Sequence, residues 1–189
     1  DMAGFGFSER QANAVYNMGN WVAQAAGLLD ALEIEKASVV GNSFGGGLAL
    51  ALAIHHPERV NKLVLMGSVG VPFTITDGLD RVWGYEPSIE IMKSLLDIFA
   101  YNRALVTDEL AELRYQASIR PGFPESFAQM FPAPRQQWVD AMTSQQDDIR
   151  AHHTLIVHGR DDKVIPLQNS YDLLGLIDRS ELHVFGQCG

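Results

Sequence analysis

The feature that most constrains this chain is the pentapeptide Gly41-Asn42-Ser43-Phe44-Gly45. It lies between a short apolar run at residues 37–41 and an alanine-rich run at residues 48–55. G-x-S-x-G between a strand and a helix places a serine on a sharp turn where its hydroxyl is free to react. The glycines have a steric cause, because side chains two residues to either side of that turn would collide with it. Gly46 and Gly47 prolong the glycine run and let the helix approach the sheet closely. The backbone N–H of Phe44, at the helix start, can donate to an oxyanion forming on a substrate. Without its flanks the pentapeptide would equally be a glycine-rich turn with an incidental serine. The strand and helix around it favour the nucleophile.

A second buried strand at residues 60–66 comes after Pro57, which halts the helix. Strand, helix, strand in this rhythm is a βαβ unit and calls for a parallel sheet. Ahead of it, residues 1–8 form a glycine-punctuated loop. Trp21, Ala25, Leu28, Leu29 and Leu32 then repeat at helical spacing. The texture changes after Gly70. From Pro72 to about Trp138 no strong strand is found. Residues 89–100 and 108–119 read as amphipathic helices, and Pro121, Pro124, Pro132 and Pro134 punctuate the rest of that stretch. The sheet resumes at residues 154–159, with a helix at 167–177 and a last strand at 181–185. The expected division is a sheet-and-helix core at 1–70, a helical cap at 71–138 and the second part of the core at 139–189.

Composition narrows the function classes. The chain has 14 basic and 23 acidic residues and a net charge of -9. That disfavours nucleic acid, which needs a basic footprint. A small anionic substrate is not disfavoured, since one arginine can outweigh the global field locally. No apolar run approaches the ~18 residues of a membrane span. Cys188 is the only cysteine, so no internal disulfide can form, which fits a reducing cytoplasm. Asp1 rather than Met opens the chain, so a preceding segment is expected and a targeting signal is left open.

An activated serine needs a histidine, and the histidine needs a carboxylate to hold its tautomer. Residues 159–166, Gly-Arg-Asp-Asp-Lys-Val-Ile-Pro, lie between a strand and a helix and supply the acid. Asp161 and Asp162 compete, and the spacing G-x-x-D-x-x-x-P selects Asp162. The base should come after the last strand. None of the six histidines is so placed. His183 is inside that strand, His158 is on the preceding one, His55 and His56 end a helix, and His152 and His153 precede a strand. His152 and His153 are not spaced as a metal site. The expectation is that the chain stops just short of its catalytic histidine, and that as it stands it is not a competent hydrolase.

With these stretches in place the chain resembles the meta-cleavage product hydrolases, C–C bond hydrolases of aromatic degradation on the α/β-hydrolase fold. Its look is nearest to 2-hydroxymuconic semialdehyde hydrolases and their alkyl-ketone relatives. Residues 1–8, 41–46, 63–70, 114–120, 131–135 and 158–166 carry the resemblance, which runs over essentially the whole chain. The cap stretches are the most specific of these.

The resemblance implies hydrolysis of the C5–C6 bond of a 2-hydroxy-6-oxo-hexa-2,4-dienoate, giving 2-hydroxypenta-2,4-dienoate and a carboxylic acid, with no cofactor. Direct attack by serine and a gem-diol route both stay open. It also implies Arg114 as partner of the substrate carboxylate, with Arg120 as second candidate. Asn42 would touch the dienoate, and Phe99 and Trp138 would line the pocket. For Arg114 the bland alternative is an exposed helix arginine beside Glu112; for Phe99 and Trp138 it is a plain core role. In place of a proline-containing loop ahead of Thr154 the chain has Ala151-His152-His153, a shortened loop. The competing functions are a carboxylesterase or thioesterase of this fold and a non-catalytic binding protein. Homo-oligomer formation is allowed, and its order is not fixed.

Overall fold

The computed structural model describes residues 1–10, 13–141 and 152–189. Its centre is a four-stranded sheet with neighbours in the order β1-β2-β3-β4: Ala37–Asn42, Val60–Met66, His153–Gly159 and Ser180–Phe185. Every adjacent pair is parallel, with Val40 opposite Val64, Val64 opposite Leu155 and Leu155 opposite Glu181. Each strand therefore needs a crossover to reach the next, and helices supply it.

Helix α1, Met18–Ala31, buries Trp21, Val22 and Ala26, and the Asn17 side chain caps it by accepting from the Asn20 N–H. Helix α2, Phe44–His55, is apolar all round, as a helix pressed between α1 and the sheet must be. It begins four residues before the expected run. Gly45, Gly46 and Gly47 are poor helix formers. Here close packing decides, since a Cβ on Gly46 would strike Ser68. Strand β2 sits in the middle, and Val60, Leu63 and Leu65 are almost wholly buried. Burying each such side chain contributes roughly 1.5–3 kcal/mol. Helix α8, Leu167–Leu176, packs on β3 and β4 through Leu173.

Between β2 and β3 run five described helices: α3 Asp77–Trp83, α4 Ile89–Phe99, α5 Asp108–Ser118, α6 Phe123–Met130 and α7 Gln136–Ala141. Two of them were expected. The other three are short, and α6 carries a proline in its first turn, where the ring does no harm. Thr76, Ser88 and Thr107 cap α3, α4 and α5 by accepting from the N–H three residues on. The Lys93–Asp108 ion pair, at 2.7 Å, joins α4 to α5. Aromatic rings tie these helices to the core: Trp83 stacks on Phe131 at 4.7 Å, and Phe131 meets Phe44 edge-on at 5.9 Å. The loop ahead of Thr154 falls largely on residues 142–151, outside the described residues. His153 itself belongs to β3 rather than preceding it.

Candidate active site

Ser43 stands between β1 and α2 with φ 51° and ψ −117°. A left-handed φ is strained for a residue with a Cβ, and such strain persists only where the surroundings impose it. Here they do. The Ser43 N–H donates to the Met66 carbonyl at 2.9 Å. The Ser43 carbonyl accepts from Gly46, Gly47 and Val69. Asn42 Nδ2 also donates to the Met66 carbonyl, at 3.1 Å. A Cβ on Gly41 would run into the backbone of Gly45 and Gly46. The Phe44 N–H lies in the first turn of α2, among donors that have no carbonyl within the helix to bond. The Phe44 ring turns away into the core, edge-on to Trp21 at 4.9 Å.

Asp162 lies in the loop between β3 and α8. Its Oδ1 accepts from the N–H groups of Val164, at 2.7 Å, and Ile165, at 3.0 Å. Its Oδ2 is 3.5 Å from Nε2 of the buried His158. Burial of the carboxyl group raises its pKa, but the hydrogen bond from His158 and the two backbone amides outweigh it, and the pKa is held below the ordinary value of 3.8. Asp161 is turned differently, with its carboxylate 3.4 Å from Arg160. The loop is braced by Thr76, whose hydroxyl donates to the Val164 carbonyl at 2.7 Å, and by the Asp161 N–H, which donates to the Cys188 carbonyl.

Ser43 and Asp162 line one cavity of about 380 Å³, together with Asn42, Gly67, Phe99, Arg114, Val164, Ile165 and Gly189. The cavity opens at the ends of β1, β2 and β3, the edge at which open parallel sheets bind ligands. A wider groove of about 980 Å³ runs between α1 and β1, but it contains neither Ser43 nor Asp162 nor Arg114. Arg114, on α5, makes no ion pair or hydrogen bond among the described residues. Glu112 accepts from Gln116 instead. The structure does not bring Arg120 or Trp138 into the lining. The Arg120 guanidinium sits 4.1 Å over the Phe7 ring. Trp138 donates to the Pro132 carbonyl and packs against Phe131. Their placement has a simple cause: both residues sit on segments that face the opening loop and the aromatic cluster rather than the sheet edge.

Gly67, Val164 and Ile165 were not anticipated from sequence. The first is a glycine at φ 48° beneath the acid, and the other two act through backbone amides that carry no side-chain signature. None of the described histidines lines the cavity. Among the described residues no group of three His, Cys, Asp or Glu side chains is placed to hold a metal, and no helix is long and apolar enough to cross a membrane.

Comparison with known proteins agrees with this geometry. A family model described as the alpha/beta hydrolase fold matches residues 1–189. The 2-hydroxymuconate semialdehyde hydrolase of Pseudomonas sp. strain CF600 is 68% identical, over all of this chain and 68% of that protein. The 2-hydroxy-6-oxo-2,4-heptadienoate hydrolase of Pseudomonas putida F1 is 62% identical, over all of this chain and 69% of that protein. A crystal structure of a meta-cleavage product hydrolase from Pseudomonas fluorescens IP01, a serine-to-alanine mutant complexed with acetates, superposes with a TM-score of 0.97 at 60% identity, covering all of this chain and 70% of that one. The chain belongs to the α/β-hydrolase family and, within it, to the meta-cleavage product hydrolases.

Proposed function

We propose that the protein hydrolyses the C5–C6 bond of 2-hydroxy-6-oxo-hexa-2,4-dienoate ring-cleavage products, as a serine-dependent C–C hydrolase of aromatic catabolism. The observation that carries this reading is the meeting of Ser43, Asp162 and Arg114 around one cavity at the strand ends. Ser43 is the nucleophilic centre. Asp162 orients and stabilises an imidazole that takes the Ser43 proton. Gly189 lines the same cavity as Ser43 and Asp162.

The Phe44 N–H stabilises the oxyanion formed at C6. Arg114, with its guanidinium unpaired among the described residues, binds the substrate carboxylate. Asn42 and Phe99 flank the diene. The dienol first ketonises, which turns C5 into a carbon able to leave with the bonding pair as an enol. Water supplies the hydroxyl of the acid product and the proton taken up at O2 by the departing dienolate, C5 having gained its second hydrogen in the ketonisation. Ser43 serves either as the attacking oxygen or as the group that helps water add to C6. A cytoplasmic site of action goes with this reading, supported by the single cysteine, Cys188.

The test is turnover of 2-hydroxymuconate semialdehyde by the full-length protein, beside a panel of neutral esters. Ser43→Ala should lower kcat by about 10⁴- to 10⁶-fold. Faster turnover of esters than of the dienoate would move the assignment to an esterase of the same fold. Tight dienoate binding without turnover would make the protein a binder.

A further inference from the structure

The His158 side chain is fully buried at the end of β3. Its Nδ1 lies 2.6 Å from Ser170 Oγ on α8, and its Nε2 lies 3.1 Å from the Ile165 carbonyl oxygen. A carbonyl only accepts, so Nε2 carries a hydrogen. Nδ1 faces the Ser170 hydroxyl, which ties the ring to α8. The same Nε2 stands 3.5 Å from Asp162 Oδ2, the carboxylate oxygen not taken by backbone amides. Ile165 faces both ways, since its N–H donates to the acid and its carbonyl accepts from the histidine. Two amide bonds on one oxygen leave a carboxylate free to swing about them. The His158 N–H, given to the Ile165 carbonyl, keeps its positive end 3.5 Å from the second oxygen and attracts it, and Ser170 fixes the ring.

We propose that His158, held by Ser170, is a positioning residue that sets the orientation of the Asp162 carboxylate toward the cavity. This rests on the reading of Asp162 as the acid of the triad. His158 is not a base for Ser43, because both ring nitrogens are engaged and the ring lies outside the cavity lining. The alternative for a buried strand-end histidine is plain space filling, and substitution by its two amide analogues separates the roles. In His158→Gln the side-chain amide nitrogen reaches the place of Nε2. In His158→Asn it reaches only the place of Nδ1.

The experiment measures kcat, KM and melting temperature for His158→Gln, His158→Asn and Ser170→Ala in the full-length protein, with 2-hydroxymuconate semialdehyde as substrate. His158→Asn should lower kcat by about 10- to 100-fold with little change in KM, the loss expected when a catalytic group is displaced by about 1 Å. His158→Gln should recover most of that loss, and Ser170→Ala should lower kcat by a smaller factor at unchanged KM. Equal loss in both His158 variants, or a lowered melting temperature with kcat intact in all three, overturns the proposal. If neither His158 variant folds, Ser170→Ala decides alone, and an unchanged kcat there overturns it. Asp162→Asn runs alongside. Should it keep full kcat, the triad reading fails and this inference with it. Should Asp162→Asn be inactive while His158→Asn keeps full kcat, this inference alone fails.

Discussion

The Asp162 carboxylate lies across Gly67: a side chain begun at Gly67 would place its first carbon 3.2 Å from Asp162 Oδ2. Gly67 also has φ 48°, in the left-handed region, and its N–H donates to the Val157 carbonyl at 2.9 Å. The end of β2 is thus a floor for the acid. Gly67→Ala should cost about 1–2 kcal/mol in backbone strain and push Oδ2 off its position. The expected outcome is a lower kcat beyond what the fall in melting temperature accounts for. An unchanged kcat would show that the carboxylate tolerates the displacement.

Acid stability depends on the same carboxylate. Its folded pKa lies below the ordinary 3.8. Between the two values the unfolded chain binds more protons than the folded one, so stability rises with pH there. The contribution is present in full above the unfolded pKa and is lost as pH falls through the folded pKa. Urea unfolding midpoints measured down to and below pH 4 should show this slope. Asp162→Asn should flatten it, and an identical pH dependence in the variant would assign the slope to other carboxylates.

Arg114→Gln tests recognition of the substrate. The dienoate carries a carboxylate and a neutral ester does not, so the variant should lose dienoate turnover far more than ester turnover. A charge-assisted pair of this kind is worth about 1.5–3 kcal/mol, or roughly 10- to 150-fold. Equal losses on both substrates would mark a folding defect. Arg120→Gln, which removes a cation resting on Phe7, should leave the ratio of the two activities unchanged.

At the elbow, Gly41→Ala should be more damaging than its size suggests. The added methyl would meet backbone at Gly45 and Gly46, and backbone cannot turn aside as a flexible side chain can. Overpacking of this kind costs about 1–3 kcal/mol. A fall in melting temperature together with lost activity is expected. Wild-type values for both would show that β1 and α2 are less closely apposed.

Much of this was legible in the sequence, and the limits have physical causes. The strands were readable because short β-branched runs bounded by glycine and proline leave few alternatives, as at residues 60–66 and 154–159. The start of α2 was hidden because three glycines suppress helix propensity where the sheet demands a close approach. Helices α3, α6 and α7 were hidden because each is too short to show a period, and Pro124 looked like a stop signal when it was a first-turn residue. Ser43 was singled out through its motif together with the strand and helix around it, Asp162 through the spacing after its strand, and the structure places both at one cavity. Arg114 was ranked ahead of Arg120 by resemblance, not by local pattern, since nothing local distinguishes a cation facing a cavity from one lying on an aromatic ring.

The parallel order β1-β2-β3-β4 has a kinetic consequence. Ser43, Gly67 and Asp162 each come after a different strand, and no two of them become neighbours until the intervening crossover has been completed. Contacts so remote along the chain are late in folding, because loop-closure entropy must be met before they form. On dilution from denaturant, helical circular dichroism should therefore recover first. Turnover should return only with the final phase, so that enzymatic activity times the last event of assembly.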